Sequence, residues 1–311
     1  VRLIQAILST FIGFFIFRIA KMIFNRKIAY ISLFLFALEP MSIYYVRYLF
    51  VETLFAFFLA VTVYYLVRFE NNAARRDLVL FGIFWGISVY IRPVILAWPI
   101  LLLPGLFYLL RIRKEKAFLN ISLLVLVMVL ILLPWTIRNY RLFDRLVVIS
   151  TNRGESLLVG NHPGASGRND LEAAVELRRI YPEEDEADRF AFQKAKEFIF
   201  KNPSTFFGLY FRKLWLYFCP WQPKSNFPLI LALLFGSLLP LTIWGIVLAI
   251  QMRVRIYSII TILIYTPLFY SLFFVVPRYR MPFLGYEIIF ASLPILKIFN
   301  FWHNKKRDFQ F

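Results

Sequence analysis

The sequence predicts an all-α, polytopic membrane bundle of about nine transmembrane helices with one extracytoplasmic helical loop region. Three observations carry that prediction. Hydrophobic residues make up 60% of the 311 residues, above the roughly 45–50% apolar share of a soluble domain, and mean hydropathy is +0.66. The apolar residues are gathered into runs near the roughly 20 residues that a helix needs to cross a bilayer. Lysine and arginine collect in short segments between the runs, as they do in cytoplasmic loops.

In chain order, the first helix spans 3–17 and continues toward 24. The runs 28–46, 49–67, 78–91 and 94–110 supply the next four, and 117–137 the sixth. A long polar stretch follows, and 227–250, 257–276 and 283–301 complete the nine. Three units follow from this division: an N-terminal bundle over 1–137, an extracytoplasmic loop over 138–226, and C-terminal helices with a basic cytoplasmic tail over 227–311. With alternating crossings, five basic groups fall on one face. They are Lys21, Arg26 and Lys27; Arg68, Arg75 and Arg76; Arg111, Arg113, Lys114 and Lys116; Arg253 and Arg255; and Lys305, Lys306 and Arg307. The positive-inside rule makes that face cytoplasmic. Val1 then lies outside. Since the chain starts apolar and without methionine, a fragment with a missing upstream helix is expected.

The long loop opens with turn formers, Gly154, Gly160, Pro163, Gly164 and Gly167. Asp170 reads as the N-cap of a helix to about 181. A second helix is expected over 186–201, ending before Asn202-Pro203. The aromatic, amphipathic stretch 205–217 suits the membrane interface.

The net charge of +18 admits nucleic acid as a partner in principle, but no basic soluble module is present to carry it, so none is expected. A single cysteine, Cys219, excludes an intrachain disulfide. His162 and His303 are far apart and lack cysteine partners, against a zinc site of the usual kind.

Charged groups within or at the rim of membrane helices are functional candidates. Glu52, at the start of the third helix, could bind a divalent metal or orient an acceptor; equally, it could serve the helix dipole. Glu39 lies deep in the second helix beside Pro40, with Arg47 or Arg92 as candidate partners in a structural ion pair. Arg92 precedes Pro93, and Arg278 and Arg280 stand in Pro-Arg-Tyr-Arg-Met-Pro. Guanidinium forks suit phosphate, whether a specific lipid headgroup or, by snorkelling, the bilayer itself. Arg138 and Asn139 open the long loop and Asn161 follows; amide and guanidinium groups there suit sugar hydroxyls or turn formation.

Taken in order, Glu39-Pro40, Val51-Glu-Thr-Leu-Phe55, Ile91-Arg-Pro93, Pro134-Trp-Thr-Ile-Arg-Asn-Tyr140, Gly160-Asn-His-Pro-Gly-Ala-Ser-Gly167 and Pro277-Arg-Tyr-Arg-Met-Pro282 resemble the bacterial branch of the GT-C glycosyltransferases. That branch is related to the family 39 protein mannosyltransferases and the aminoarabinose transferase of lipid A. The resemblance implies a membrane enzyme with an extracytoplasmic active site, in the bacterial inner membrane. It implies a polyprenyl-phosphate-linked sugar donor, transfer with inversion, and a glycan, lipid or protein acceptor. Glu52 matches the second acidic position of the family. Arg92 and the Arg278-Tyr279-Arg280 group match positions that hold the lipid phosphate. The family's first acidic residue would lie before Val1, so the 311 residues alone are expected to be inactive. A transporter or lipid flippase, or a non-catalytic paralogue, is the rival reading; internal repeats, the mark of many transporters, are not evident in the sequence.

Overall fold

The computed structural model describes residues 2–48, 50–169, 175, 179–181, 183–219 and 229–308. Among them all regular structure is helical. The elements are α1 (Arg2–Ile23), α2 (Arg26–Ala37), α3 (Pro40–Val46), α4 (Glu52–Asn72), α5 (Arg75–Ile91), a 3-10 turn (Pro93–Ala97), α6 (Pro99–Ile112) and α7 (Ala117–Phe143). Then come α8 (Arg153–Gly160), α9 (Glu184–Lys201), α10 (Pro203–Phe218), α11 (Leu229–Gln251), α12 (Tyr257–Tyr270), two 3-10 turns (Pro277–Tyr279 and Met281–Phe283) and α13 (Leu284–Asp308).

The helix α4 is the axis. It packs against α1 and α5, while α13 packs against α11 and α2. Of its most apolar window 72% is buried, against 33% for α1 and 28% for α7. The outer helices are apolar on both faces. α1 buries Ile12, Ile16 and Ile19 yet exposes Leu3, Ile7 and Phe11, and α7 exposes Leu126, Val129 and Leu130. In water such surface would be an association hazard; in lipid it is the expected exterior.

Length limits the number of crossings. Among the described residues, four helical runs are long and apolar enough to span a membrane, or five if the bent pair α2 and α3 counts as one. This count does not confirm the expected nine, and proline shortens some of the remaining runs. Pro40 ends the run 28–46 as a single helix: α2 and α3 meet at 49°. The run 94–110 is divided by Pro93 and Pro99 into a 3-10 turn and the 14-residue α6. α12 stops at Tyr270, well short of 276. The proposed helix opening at Asp170 lies largely outside the described residues.

Side-chain contacts sort the helix ends. Arg68 and Asn72 bind Asp77, Arg75 reaches Asn120, and Met22, Glu70 and Arg253 share one cavity. So the basic segments near 21–27, 68–76, 113–117 and 251–257 lie at one end of the bundle. Gln5 donates to the Phe50 carbonyl, and Glu52 meets Arg92 and Arg278. Those residues mark the other end.

α8 was not expected from its glycines. Gly154 and Gly160 are not turn residues but helical positions of close approach. A Cβ on Gly154 would stand 2.0 Å from the Asp188 carbonyl oxygen, and one on Gly160 would stand 2.0 Å from that of Phe273. Gly164 and Gly167 do take the left-handed turn conformation, with φ of 84° and 82°. Replacing Gly160 by alanine should destabilise the fold by about 1–3 kcal/mol, because backbone must move. Gly208→Ala, with nothing within 4 Å of the added carbon, should stabilise it by about 0.5–1 kcal/mol. Thermal unfolding of the two variants in detergent measures both.

Candidate active site

Proline sets the backbone that presents each arginine. The residue before a proline avoids the helical region, and Arg92, ahead of Pro93, is extended at φ −143° and ψ 105°. This ends α5 and turns Arg92 toward the start of α4. The 93–98 segment is held from several sides. Trp85 Nε1 donates to the Ile95 carbonyl at 3.1 Å, Tyr265 Oη to the Val94 carbonyl at 2.6 Å, and Trp98 Nε1 to Thr261 Oγ1 at 3.1 Å. Val276 is likewise extended ahead of Pro277, and the turn that follows carries Arg278 and Tyr279.

Glu52 opens α4, where a carboxylate favours the positive end of the helix dipole. It is 2% exposed. Its Oε1 accepts a hydrogen bond from Arg92 Nη2 and lies 3.1 Å from Arg278 Nε. Its Oε2 is buried with no hydrogen-bond partner among the described residues. Aromatic rings finish the enclosure. The Arg92 guanidinium lies 5.0 Å from the centre of the Tyr279 ring and that of Arg278 lies 4.6 Å from Phe50. Tyr279 in turn stacks on Tyr270 at 4.5 Å. Two cations against one anion leave this cluster with a net positive charge.

Arg92 and Tyr279 form one wall of a cavity of about 590 Å³. Phe269, Phe273, Phe274, Leu96 and Val148 give it apolar sides. Arg145, Ser150, Asn152, Arg153 and Asp188 line its polar part. Glu52 sits one layer back, behind Arg92.

The loop helices hold that polar part in place. Asp188 Oδ1 accepts from the backbone N–H groups of Gly154, at 2.5 Å, and Glu155, at 3.3 Å, capping α8 from α9. Burial pushes the Asp188 carboxyl up, against the pull of those two N–H groups and of Arg145 and Arg153. Arg145 pairs with Asp185 and Asp188. Sequence reasoning did not single out Arg145 or Tyr270. Glu183, Glu184, Asp185, Glu186 and Asp188 stand close together in the sequence, but nothing local shows that they fold against a segment some 35 residues earlier.

The remaining sequence candidates have other surroundings. Arg280 is fully buried and has a different carboxylate partner. It holds Glu287 through Nε at 2.9 Å and Nη2 at 2.5 Å, and the Phe218 carbonyl through Nη1 at 3.1 Å, tying the 277–283 turn to α13 and to the end of α10. Glu39 pairs with neither Arg47 nor Arg92; it caps α3, accepting from the N–H groups of Met41 at 2.9 Å and Ser42 at 2.5 Å. Arg47 is exposed and lies over Tyr44 and Tyr48. Arg138 lies over Trp135 and donates to Asn139, whose amide bonds the Val147 and Ile149 carbonyls. Asn161 is buried, donates to the Leu157 and Leu272 carbonyls, and accepts from Lys213 Nζ at 2.9 Å. Arg138, Asn139 and Asn161 do not border the cavity.

Two guanidinium groups already crowd Glu52 Oε1, and among the described residues no three His, Cys, Asp or Glu side chains gather as ligands.

Residues 1–135 match the family model described as dolichyl-phosphate-mannose-protein mannosyltransferase. Neither a curated protein nor a solved structure matches the chain.

Two predictions follow from this arrangement. Glu52→Ala should destabilise the fold by about 3 kcal/mol, because it leaves two half-buried guanidinium groups without their counter-ion; chemical denaturation in detergent measures it. Burial also pushes the Lys213 ammonium down to about 7, against roughly 10.4 in the unfolded chain. The unfolded state therefore binds the extra proton between those values, and stability should rise as pH climbs from about 7 to about 10, by at most ~1.4 kcal/mol per pH unit. Lys213→Met should remove that part of the slope in melting curves taken across the range.

Proposed function

We propose that this chain is a membrane glycosyltransferase moving a sugar from a polyprenyl-phosphate carrier to an acceptor hydroxyl on the Glu52 side of the bilayer, with inversion. The family match over residues 1–135 supports the class. The observation that carries the reading is the placement of Arg92 and Arg278 together on one oxygen of Glu52, beside a cavity with apolar walls.

A phosphodiester carries one negative charge, which complements the single excess positive charge of the cluster. Apolar walls at Phe269, Phe273 and Phe274 suit the first isoprene units, and the polar part near Ser150 and Asn152 suits hydroxyl groups. In the transfer, the bond from the anomeric carbon to the phosphate oxygen breaks and the phosphate keeps the electron pair. Arg92 and Arg278 stabilise that growing charge better than they stabilise the bound donor. The acceptor oxygen bonds to the opposite face of the same carbon. Its proton goes to a carboxylate, and Glu52 Oε2 is the oxygen in this cluster that no other group occupies. Arg278, whose side chain is 30% exposed, rests on the other carboxylate oxygen, Oε1, and can turn from it toward the phosphate. The protein that this chemistry describes sits in a bacterial inner membrane, with its site facing the periplasm or cell exterior.

The test is donor turnover in membranes carrying the full-length protein, read as polyprenyl phosphate released from a polyprenyl-phosphate-linked sugar. Glu52→Gln and Arg278→Gln should each lower the rate about 100-fold, the scale seen when one charge-stabilising donor is lost. Arg26→Gln, at the opposite end, should leave it unchanged. Equal rates in all the variants would favour a non-catalytic membrane protein.

A further inference from the structure

A second cavity, of about 250 Å³, lies at the other end of the bundle. It is formed where three segments converge: Met22 and Ile23 at the end of α1, Val67, Glu70 and Asn71 near the end of α4, and the α11–α12 turn from Met252 to Arg255. Glu70 is eighteen residues along α4 from Glu52, so roughly 27 Å separates the two.

Glu70 is 7% exposed. The Ser258 hydroxyl donates to its Oε1. Among the described residues no cation lies within ion-pair distance of it, although Arg253 and Arg255 line the same cavity and are exposed at its rim. Arg255 acts on this carboxylate only through space, and a buried carboxylate is costly to keep ionised without a cation at hydrogen-bonding distance. A bare metal ion does not suit: one carboxylate offers too few ligands, and two guanidinium groups stand at the entrance. Those guanidiniums would instead draw a phosphate. Met22, Met252 and Val254 add apolar contact.

We infer that this cavity binds a phosphoethanolamine group, its ammonium on Glu70 and its phosphate on Arg253 and Arg255. One ligand then satisfies both charges. A trimethylammonium head has no N–H to give Glu70, and a glycerol head has no positive charge. A serine head would bring a second carboxylate toward Glu70. The position, at helix ends on the basic face, suits a phospholipid of the adjacent leaflet; free phosphoethanolamine offers the same chemistry from solution.

The experiment titrates the full chain, purified in detergent, with dihexanoyl phosphatidylethanolamine, phosphatidylglycerol and phosphatidylcholine and with free phosphoethanolamine, following the melting temperature. The ethanolamine lipid should bind about tenfold tighter than the other two lipids, the worth of one charge-assisted hydrogen bond. Glu70→Gln should abolish that preference. Arg255→Gln should weaken all three lipids alike and leave the preference in place, which keeps the test decisive if the Glu70 variant does not fold. Free phosphoethanolamine binding as tightly as the lipid would assign a soluble ligand; binding of the lipid alone would assign the bilayer. Equal affinity for the three lipids, or a preference that survives in Glu70→Gln, would overturn the inference.

Discussion

One carboxylate shared between two guanidinium groups governs this end of the molecule. Removing charge from water is expensive, and a single buried arginine would gain more by turning to solvent or to lipid phosphate. Glu52 makes the inward position tenable for Arg92 and brings Arg278 beside it. It does so from the first turn of α4, a largely buried helix whose dipole favours a negative group there. The aromatic rings of Tyr279 and Phe50 cover the cations without supplying a second anion. The cluster therefore remains one negative charge short, and the cavity beside it is where that charge is offered a place.

Arg280 shows how the same motif divides its labour. In Pro-Arg-Tyr-Arg-Met-Pro, Arg278 points to Glu52 while Arg280, two residues on, turns into the bundle and is satisfied by Glu287 and the Phe218 carbonyl. The second arginine fixes the turn, and the turn aims the first. Glu39 has a comparable supporting part: by capping α3 it fixes the bend that leads the chain to Phe50 and Glu52.

Much of this was legible in the sequence because lipid imposes a simple code. Apolar runs gave the helices near 2–23, 52–72 and 117–143, and the basic segments gave the two ends. Pro93 and Pro277 marked where arginines leave helical geometry. What was not legible depends on contacts between distant parts of the chain. Nothing local distinguishes Arg278 from Arg280, since the choice is made by Glu52 and Glu287. Gly154 and Gly160 read as turn formers, yet they are glycines because backbone from 188 and 273 passes close by. The nine expected crossings are not all matched by long helices among the described residues, and apolar composition alone does not register where proline shortens a helix. Glu70 was passed over because a carboxylate near a helix end resembles many solvated ones, and only the packing of α1 and the α11–α12 turn encloses it.

An experimental structure of the full-length protein with a polyprenyl phosphate bound tests the central claim most directly. The phosphate should lie against Arg92 and Arg278, within hydrogen-bonding distance of both, with the isoprene chain along Phe269 and Phe273. A phosphate held by Arg145 and Arg153 instead, with Glu52 still closing off both of its arginines, would contradict it.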